Sequence, residues 1–243
     1  ELQQTLYASK NPTRRWLHCI RRDWIFDAIQ RYGTAHPGRA LEIGPGSGLY
    51  LSLLADRFQE VIAADIEDAY LNHANTLVAA HPNLRPVVDD ITRSRLPQRS
   101  FDLILCTEVV EHIADSARAI AEMHRLLKPG GFLILSTPQR YSPLELTAKI
   151  AFLPGVVDVV RMIYREPVLE TGHINLLTTA QVTAQLERPG FKIREQHKSG
   201  VYVPLLAEFA GTAGLRLEQW LEPRLRDSPL AWLLWTQYFV AEA

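Results

Sequence analysis

Cysteine is scarce in this chain. Only Cys19 and Cys106 occur among 243 residues, too few for a disulfide framework. A reduced, cytoplasmic setting is the simpler expectation. No apolar run reaches the length of a membrane span. Neither sign of charge dominates: 26 Lys and Arg face 27 Asp and Glu, a formal net charge of −1. No global field therefore draws the chain to nucleic acid, although a local patch stays open. Internal repeats and low-complexity segments are also missing. The chain starts at Glu1 rather than at a methionine, so the lack of a leader excludes nothing.

What is present suits one α/β domain. Hydrophobic residues make up 47%, enough for a buried core. Residues 1–38 read as an N-terminal helical cap, with Trp16, Leu17, Ile20, Trp24 and Ile25 at roughly helical spacing. Arg14, Arg15, Arg21 and Arg22 flank that stripe. They read either as a solvated basic face, or as part of a cap over a site or a contact with an anionic substrate or membrane surface.

From residue 39 to 243, short apolar runs alternate with helical stretches. Strands are expected at 39–43, 61–64, 84–88, 101–106, 132–137, 191–197 and 234–241. Helices are expected at about 49–58, 69–80, 115–127 and 178–188, with 203–227 helical and partly apolar. Lys128-Pro129-Gly130-Gly131 stops a helix and turns the chain into the next strand. The alternation argues for a parallel sheet with helices on both faces.

The loop Gly44-Pro45-Gly46-Ser47-Gly48 joins the first strand to the next helix. Its glycines let a ligand approach the backbone without meeting a Cβ. The third glycine comes one place too early for the dinucleotide fingerprint, and no Gly-Lys-Ser/Thr follows for a phosphate loop. Asp65 ends the second apolar run. It reads as an acceptor for ribose hydroxyls or as a helix cap. Asp89 and Asp90 follow the third run. One of them is a candidate acceptor for an adenine amino group, or both form a solvated turn.

Together these segments resemble the class I S-adenosylmethionine-dependent methyltransferases. Leu41-Glu42-Ile43-Gly44-Pro45-Gly46-Ser47-Gly48 resembles their first motif, Asp65 their ribose acid and Asp90 their adenine-side acid. Phe101-Asp102-Leu103-Ile104 matches their fourth strand, and Leu126-Leu127-Lys128-Pro129-Gly130-Gly131 their turn after the following helix. The resemblance covers about 39–198. It implies a Rossmann-like, seven-stranded, mostly parallel sheet with helices on both faces and an antiparallel last strand. It implies S-adenosyl-L-methionine as cofactor. Glu42, Gly44, Gly46 and Gly48 would face its methionine part. Ile91 and Val88 would border the adenine, and Thr107 and Glu108 would lie near the sulfonium.

Thr107-Glu108-Val109-Val110-Glu111-His112 resembles the matching segment of ubiquinone-pathway O-methyltransferases. It is also similar to that of enzymes methylating the 3′-terminal 2′-hydroxyl of small RNAs. That resemblance implies a divalent metal such as Mg²⁺ held by Glu108, Glu111, His112 and His173. Without metal, His112 or His173 is the candidate general base, with Glu108 beside them. Glu108, Glu111 and His112, spaced i, i+3 and i+4, can share one face of a helical turn. Gly172-His173-Ile174-Asn175 departs from the Thr-His-Asp of the ubiquinone group, which loosens any transfer of substrate.

Residues of about 138–172 read as a lid inserted after a strand end. Tyr141, Leu144, Ile150, Phe152, Leu153, Val156, Val157, Met162 and Tyr164 make it apolar. Arg140, Arg161 and Arg165 are candidate partners for an acidic substrate group. Such a wall suits a small-molecule or lipid-like acceptor, or else packs on the core or a homodimer partner. By resemblance, peripheral contact with a membrane is a further expectation for it. The expected activity is O-methylation. The alternatives are RNA 2′-O-methylation, disfavoured by the charge balance, and a silent cofactor-binding subunit, disfavoured by the intact loop and Asp65.

Overall fold

A computed structural model of the chain describes residues 7, 9–33, 38–151 and 172–243. The lid positions Phe152, Leu153, Val156, Val157, Arg161, Met162, Tyr164 and Arg165 lie outside the described residues.

Seven strands form one sheet: β1 (Arg39–Ile43), β2 (Glu60–Asp65), β3 (Leu84–Val88), β4 (Phe101–Thr107), β5 (Leu127–Pro138), β6 (Lys192–Ser199) and β7 (Thr236–Glu242). Their order is β3-β2-β1-β4-β5-β7-β6. The strands from β3 to β5 pair in parallel, and β7 runs antiparallel to both β5 and β6. This is the mostly parallel sheet with an antiparallel last strand expected above.

The period-two alternation of the strands sorts their side chains to two faces. Leu41, Ile43, Ile62, Ile104 and Leu133 enter one buried cluster; Ala40, Val61, Leu103, Leu105 and Ile134 enter the other. Helices cover both faces because both are apolar. α4 (Ser116–Leu126) and α6 (Thr179–Glu187) cover the first, through Ile120, Met123, Val182 and Leu186. α1 (Pro12–Tyr32) and α2 (Leu51–Arg57) cover the second, through Ile25, Ile29, Leu51 and Leu54. Asn11 caps α1, accepting from the backbone of Thr13 and Arg14, with Pro12 at the first position.

Three expected boundaries shift. β5 starts at Leu127 rather than 132, because Gly130 N–H donates to Ala243 O and Ala243 N–H to Gly131 O, extending the ladder. The helix expected over 69–80 is shorter, a 3-10 turn Asp68–Leu71 and then α3 (Asn72–Leu77). The 203–227 segment is two helices, α7 (Pro204–Phe209) and α8 (Gly211–Arg226), with Gly211 at φ 51° between them. α5 (Pro143–Ala151) opens the expected lid.

Strand order reverses between β1 and β4. In open α/β sheets such a switch point opens a crevice at the carboxyl ends of the strands. The expected site residues cluster there. Among the described residues, no helix is long and apolar enough to cross a membrane.

Candidate functional site

The loop after β1 is shaped by its glycines. Gly44, Gly46 and Gly48 take φ of 66°, 51° and 68°, a region that L side chains rarely adopt. Gly44 N–H donates to Ala64 O at 2.9 Å, tying the loop to β2. A Cβ on Gly44 would meet Val109 Cγ2 at 2.5 Å. The loop therefore packs directly beside the chain leaving β4.

Glu42 sits one residue before the end of β1 and is buried. Among the described residues its Oε2 has no hydrogen-bond partner. Burial pushes its carboxyl up to about 8. It lines a cavity of about 20 Å³ shared with Arg21, Gly44, Ser47, Thr107 and Glu108. An orphaned carboxylate oxygen in a polar cavity is a ready acceptor for a cationic ligand group.

Asp65 ends β2, half-buried, and accepts only weakly from Glu67 N–H at 3.3 Å. Burial raises its pKa. Beyond it lies a broader depression of about 370 Å³ bounded by Ile66, Val88, Asp89, Asp90, Arg93 and Arg95. Ile66 and Val88 expose aliphatic surface here, and Ile91 is buried just behind. Asp90 is more committed than the sequence suggested. Its carboxylate takes Thr92 Oγ1, Thr92 N–H and Arg93 Nε at 2.7, 2.9 and 2.9 Å, capping a 3-10 turn. These bonds hold its pKa below the usual carboxylate range.

Arg21 of α1 is buried, which fits the cap reading of its segment rather than the solvated basic face. Its guanidinium donates to Glu108 Oε2 at 2.6 Å and approaches His18 Nδ1 at 3.1 Å. A guanidinium only donates, so that His18 nitrogen accepts. Burial, with Arg21 beside it, lowers the His18 pKa to about 3 and keeps the ring neutral. Glu108 also takes Ser136 Oγ at 2.9 Å. It has φ 55°, a strained conformation for a residue with a side chain.

Glu111, His112 and His173 converge beside this pair. One ligand atom from each lies within 4.8 Å of the others. Glu108, also expected among the ligands, is outside that group: it faces Arg21 while Glu111 turns to Thr137 Oγ1 at 3.0 Å. The chain at Glu108 is in a left-handed turn rather than a helix, so i, i+3, i+4 spacing does not align the three. Glu111 is fully buried, and among the described residues its Oε1 has no partner. Burial, and then nearby Glu108, raise its pKa well above the ordinary value.

The 172–175 segment docks on this turn through its backbone. Ile174 and Asn175 N–H both donate to Glu111 O at 3.0 Å, and Asn175 Nδ2 donates to Ile113 O and Ser116 Oγ. That places His112 and His173 edge to face, 5.2 Å apart. His112 Nδ1 lies 3.1 Å from Gly172 O, and His173 Nδ1 lies 3.1 Å from Glu145 Oε2. A carbonyl and a carboxylate only accept, so each Nδ1 carries a proton and donates, and among the described residues neither Nε2 makes a hydrogen bond. Glu145, buried on α5, is held in turn by Trp235 Nε1 at 3.0 Å. Neither Glu145 nor Trp235 was visible as a site residue, because only the fold brings them to His173.

Known proteins share this architecture. A family model described as a methyltransferase domain matches residues 16–196. A Mycolicibacterium smegmatis chain that carries the name of an S-adenosylmethionine-dependent methyltransferase is 29% identical over 219 residues, 88% of this chain and 73% of its own length. The ubiquinone biosynthesis O-methyltransferase of Leptothrix cholodnii is 28% identical over 125 residues, 50% of this chain. This chain spans 52% of that relative's length. The structure of an S-adenosylmethionine-dependent methyltransferase from Mesorhizobium loti superposes with a TM-score of 0.59 at 19% identity, over 91% of this chain and 98% of its own. That is a likeness of fold.

Proposed function

Because the chain belongs to the family of methyltransferase domains and is an S-adenosylmethionine-dependent methyltransferase, we propose that it methylates an oxygen of a small-molecule or lipid-like acceptor. The observation that carries this reading is the pair of imidazoles, His112 and His173, both engaged through Nδ1 and with no hydrogen bond at either Nε2 among the described residues.

The residues present suit the cofactor. The orphaned Oε2 of Glu42 fits an ammonium group, and Gly44, Gly46 and Gly48 form a wall without side chains. Asp65 would accept from ribose hydroxyls. Ile91, Val88 and Ile66 would border the adenine, with Asp90 beside them. Thr107 and Glu108 would stand at the reacting end. S-adenosyl-L-methionine supplies a methyl group on a sulfonium whose thioether is the leaving group.

The protein's part is to orient the acceptor, exclude water and move one proton. A hydroxyl acceptor loses its proton to His173 Nε2, while Glu145 at Nδ1 stabilises the imidazolium so formed. Ile174, exposed and next to His173 in the chain, offers apolar surface to the acceptor, as does exposed Tyr141 just past the end of β5. α1 caps the cleft by sending Arg21 to Glu108.

Glu111, His112 and His173 would also fit a divalent cation, through the orphaned Glu111 Oε1 and the two Nε2 atoms. Such an ion supplies Lewis-acid chemistry at an acceptor oxygen. One carboxylate with two imidazoles suits a first-row transition ion better than Mg²⁺.

The test is turnover with methyl-labelled cofactor and a panel of hydroxylated, apolar acceptors. His173→Ala is expected to abolish methyl transfer while cofactor affinity, measured by calorimetry, holds. Turnover that survives in the His112→Ala/His173→Ala double variant overturns the reading. Activity lost in chelator and restored by a divalent ion assigns the histidines as ligands. Full activity in chelator leaves them as base.

A further inference from the structure

We propose that the outer face of α8 docks the protein onto an anionic lipid surface. The inference rests on the helix itself and is independent of the acceptor.

α8 is amphipathic in an inverted sense. Gly214, Glu218 and Glu222 form one i, i+4, i+8 row, and that row is buried. Arg216, Trp220 and Arg224 form the opposite row, with Leu217 beside it. All four are exposed, Trp220 at 53% and Leu217 at 44%. The acids are turned inward with partners. Glu218 accepts from Thr13 Oγ1 and Val203 N–H, and Glu222 from Arg226. Glu208 of α7 is likewise tied to Arg14 and Tyr202. The outward row is left with arginine, tryptophan and leucine and no carboxylate. Phe209, 70% exposed, stands at the end of α7.

An ordinary surface helix shows charge outward and apolar residues inward. Here Leu217 and Trp220 face out, interleaved with cations, while Leu215, Leu221 and Leu225 are half-buried. The Arg224 guanidinium lies 3.8 Å over the Trp220 ring. Tryptophan has an apolar body with one polar N–H and suits the headgroup level. Arginine lays its stem on apolar surface and keeps its charge at phosphates. One convex row with no concave partner site matches a fluid anionic plane better than a shaped acidic protein.

Topology sets this face at the working end of the sheet. β6 runs parallel to β5, since both are antiparallel to β7. The segment between Ser199 and Thr236 therefore leaves and re-enters at the edge that carries Gly44 and Glu108. A protein docked through α8 holds its cleft near the bilayer, where apolar acceptors partition. This surface is separate from the lid of about 138–172.

The experiment is sedimentation of the full chain with vesicles of phosphatidylglycerol mixed with phosphatidylcholine, against phosphatidylcholine alone. We expect binding to the mixed vesicles only, weakened by salt. Each arginine near an anionic surface accounts for about fivefold in affinity, so Arg216→Gln/Arg224→Gln lowers it about 25-fold. Leu217→Ser/Trp220→Ser abolishes it. Unchanged cofactor affinity and thermal melting show that the variants are folded. Quenching of tryptophan emission by brominated lipid supplies a second readout on the unaltered chain. Three results overturn the proposal: no preference for anionic vesicles, equal binding by both double variants, or no vesicle binding with self-association that Leu217→Ser/Trp220→Ser removes.

Discussion

Glu42 shows how one buried group sets a pH dependence. Its folded-state pKa is about 8 against an ordinary 4.5, raised by burial. Between those values the folded chain holds a proton that the unfolded chain has released. Stability from this group is therefore full below about 4.5 and is lost as pH rises through about 8. Glu42→Gln removes that slope. Its melting temperature above pH 8 should exceed that of the unaltered chain, while cofactor affinity collapses. A cationic cofactor group prefers the ionised carboxylate, so binding near pH 7 should release a proton. Calorimetry in buffers of different ionisation enthalpy measures that release, and its absence would remove Glu42 from the ammonium site. Glu145 calls for a different readout. Glu145→Gln keeps a side chain of the same shape but cannot balance charge on His173. We expect kcat to fall by about 10- to 100-fold and its pH profile to shift, with cofactor affinity unchanged. A parallel loss of affinity would make Glu145 merely structural. Glu42 was legible in the sequence because motif and strand end coincide. Glu145 was not, since 28 positions separate it from His173 and nothing local marks it.

At the scale of elements, α1 carries the lesson. Leu17, Arg21, Ile25 and Ile29 follow one another at i+4 along the buried side. An arginine interrupting an apolar row is a sign of a buried ion pair, because the row must face the core and the charge must find a partner. The sequence sets Arg21 with Arg14, Arg15 and Arg22 beside the apolar stripe, as a solvated face or a cap, and does not reveal its partner Glu108. Both members of the pair are largely shielded, with side chains 8% and 14% exposed for Arg21 and Glu108. Arg21→Met should cost about 3 kcal/mol by leaving Glu108 unpaired, read as a lower denaturation midpoint. Adding Glu108→Gln to that variant should recover part of the loss. Strict additivity of the two substitutions would deny the pairing. The metal group reads the opposite way. Spacing of Glu108, Glu111 and His112 suggested one helical face, but the positive φ at Glu108 turns its carboxylate away. Backbone conformation at a single residue, invisible in spacing, decided which acid joined the histidines.

For the whole molecule, the strand alternation told most. Short apolar runs separated by helices imply a parallel sheet, and a glycine loop after the first run implies a site at its carboxyl edge. The resemblance supplied seven strands and an antiparallel last one, but the order β3-β2-β1-β4-β5-β7-β6 comes from the structure, since local patterns do not say which strands are neighbours. Neither pattern nor resemblance announced the division of 203–227 at Gly211. The site draws on the ends of β1, β2 and β4, on α1, and on the 172–175 segment. A ligand bound there bridges elements from both faces of the sheet and should stabilise the folded chain as a unit. At a hundredfold excess over Kd, a ligand that binds only the folded state adds about 2.7 kcal/mol. For a domain of this size that raises the melting temperature by about 5–10 °C. S-adenosylhomocysteine, which lacks the reactive methyl, should give that shift in a single cooperative transition. Asp65→Ala should shrink it while changing the melting temperature of the ligand-free chain little, since Asp65 accepts there only from the neighbouring backbone of Glu67 and Ile66 and burial disfavours its charge. An unchanged shift in Asp65→Ala would take the ribose away from β2 and with it the placement of the cofactor across the switch point.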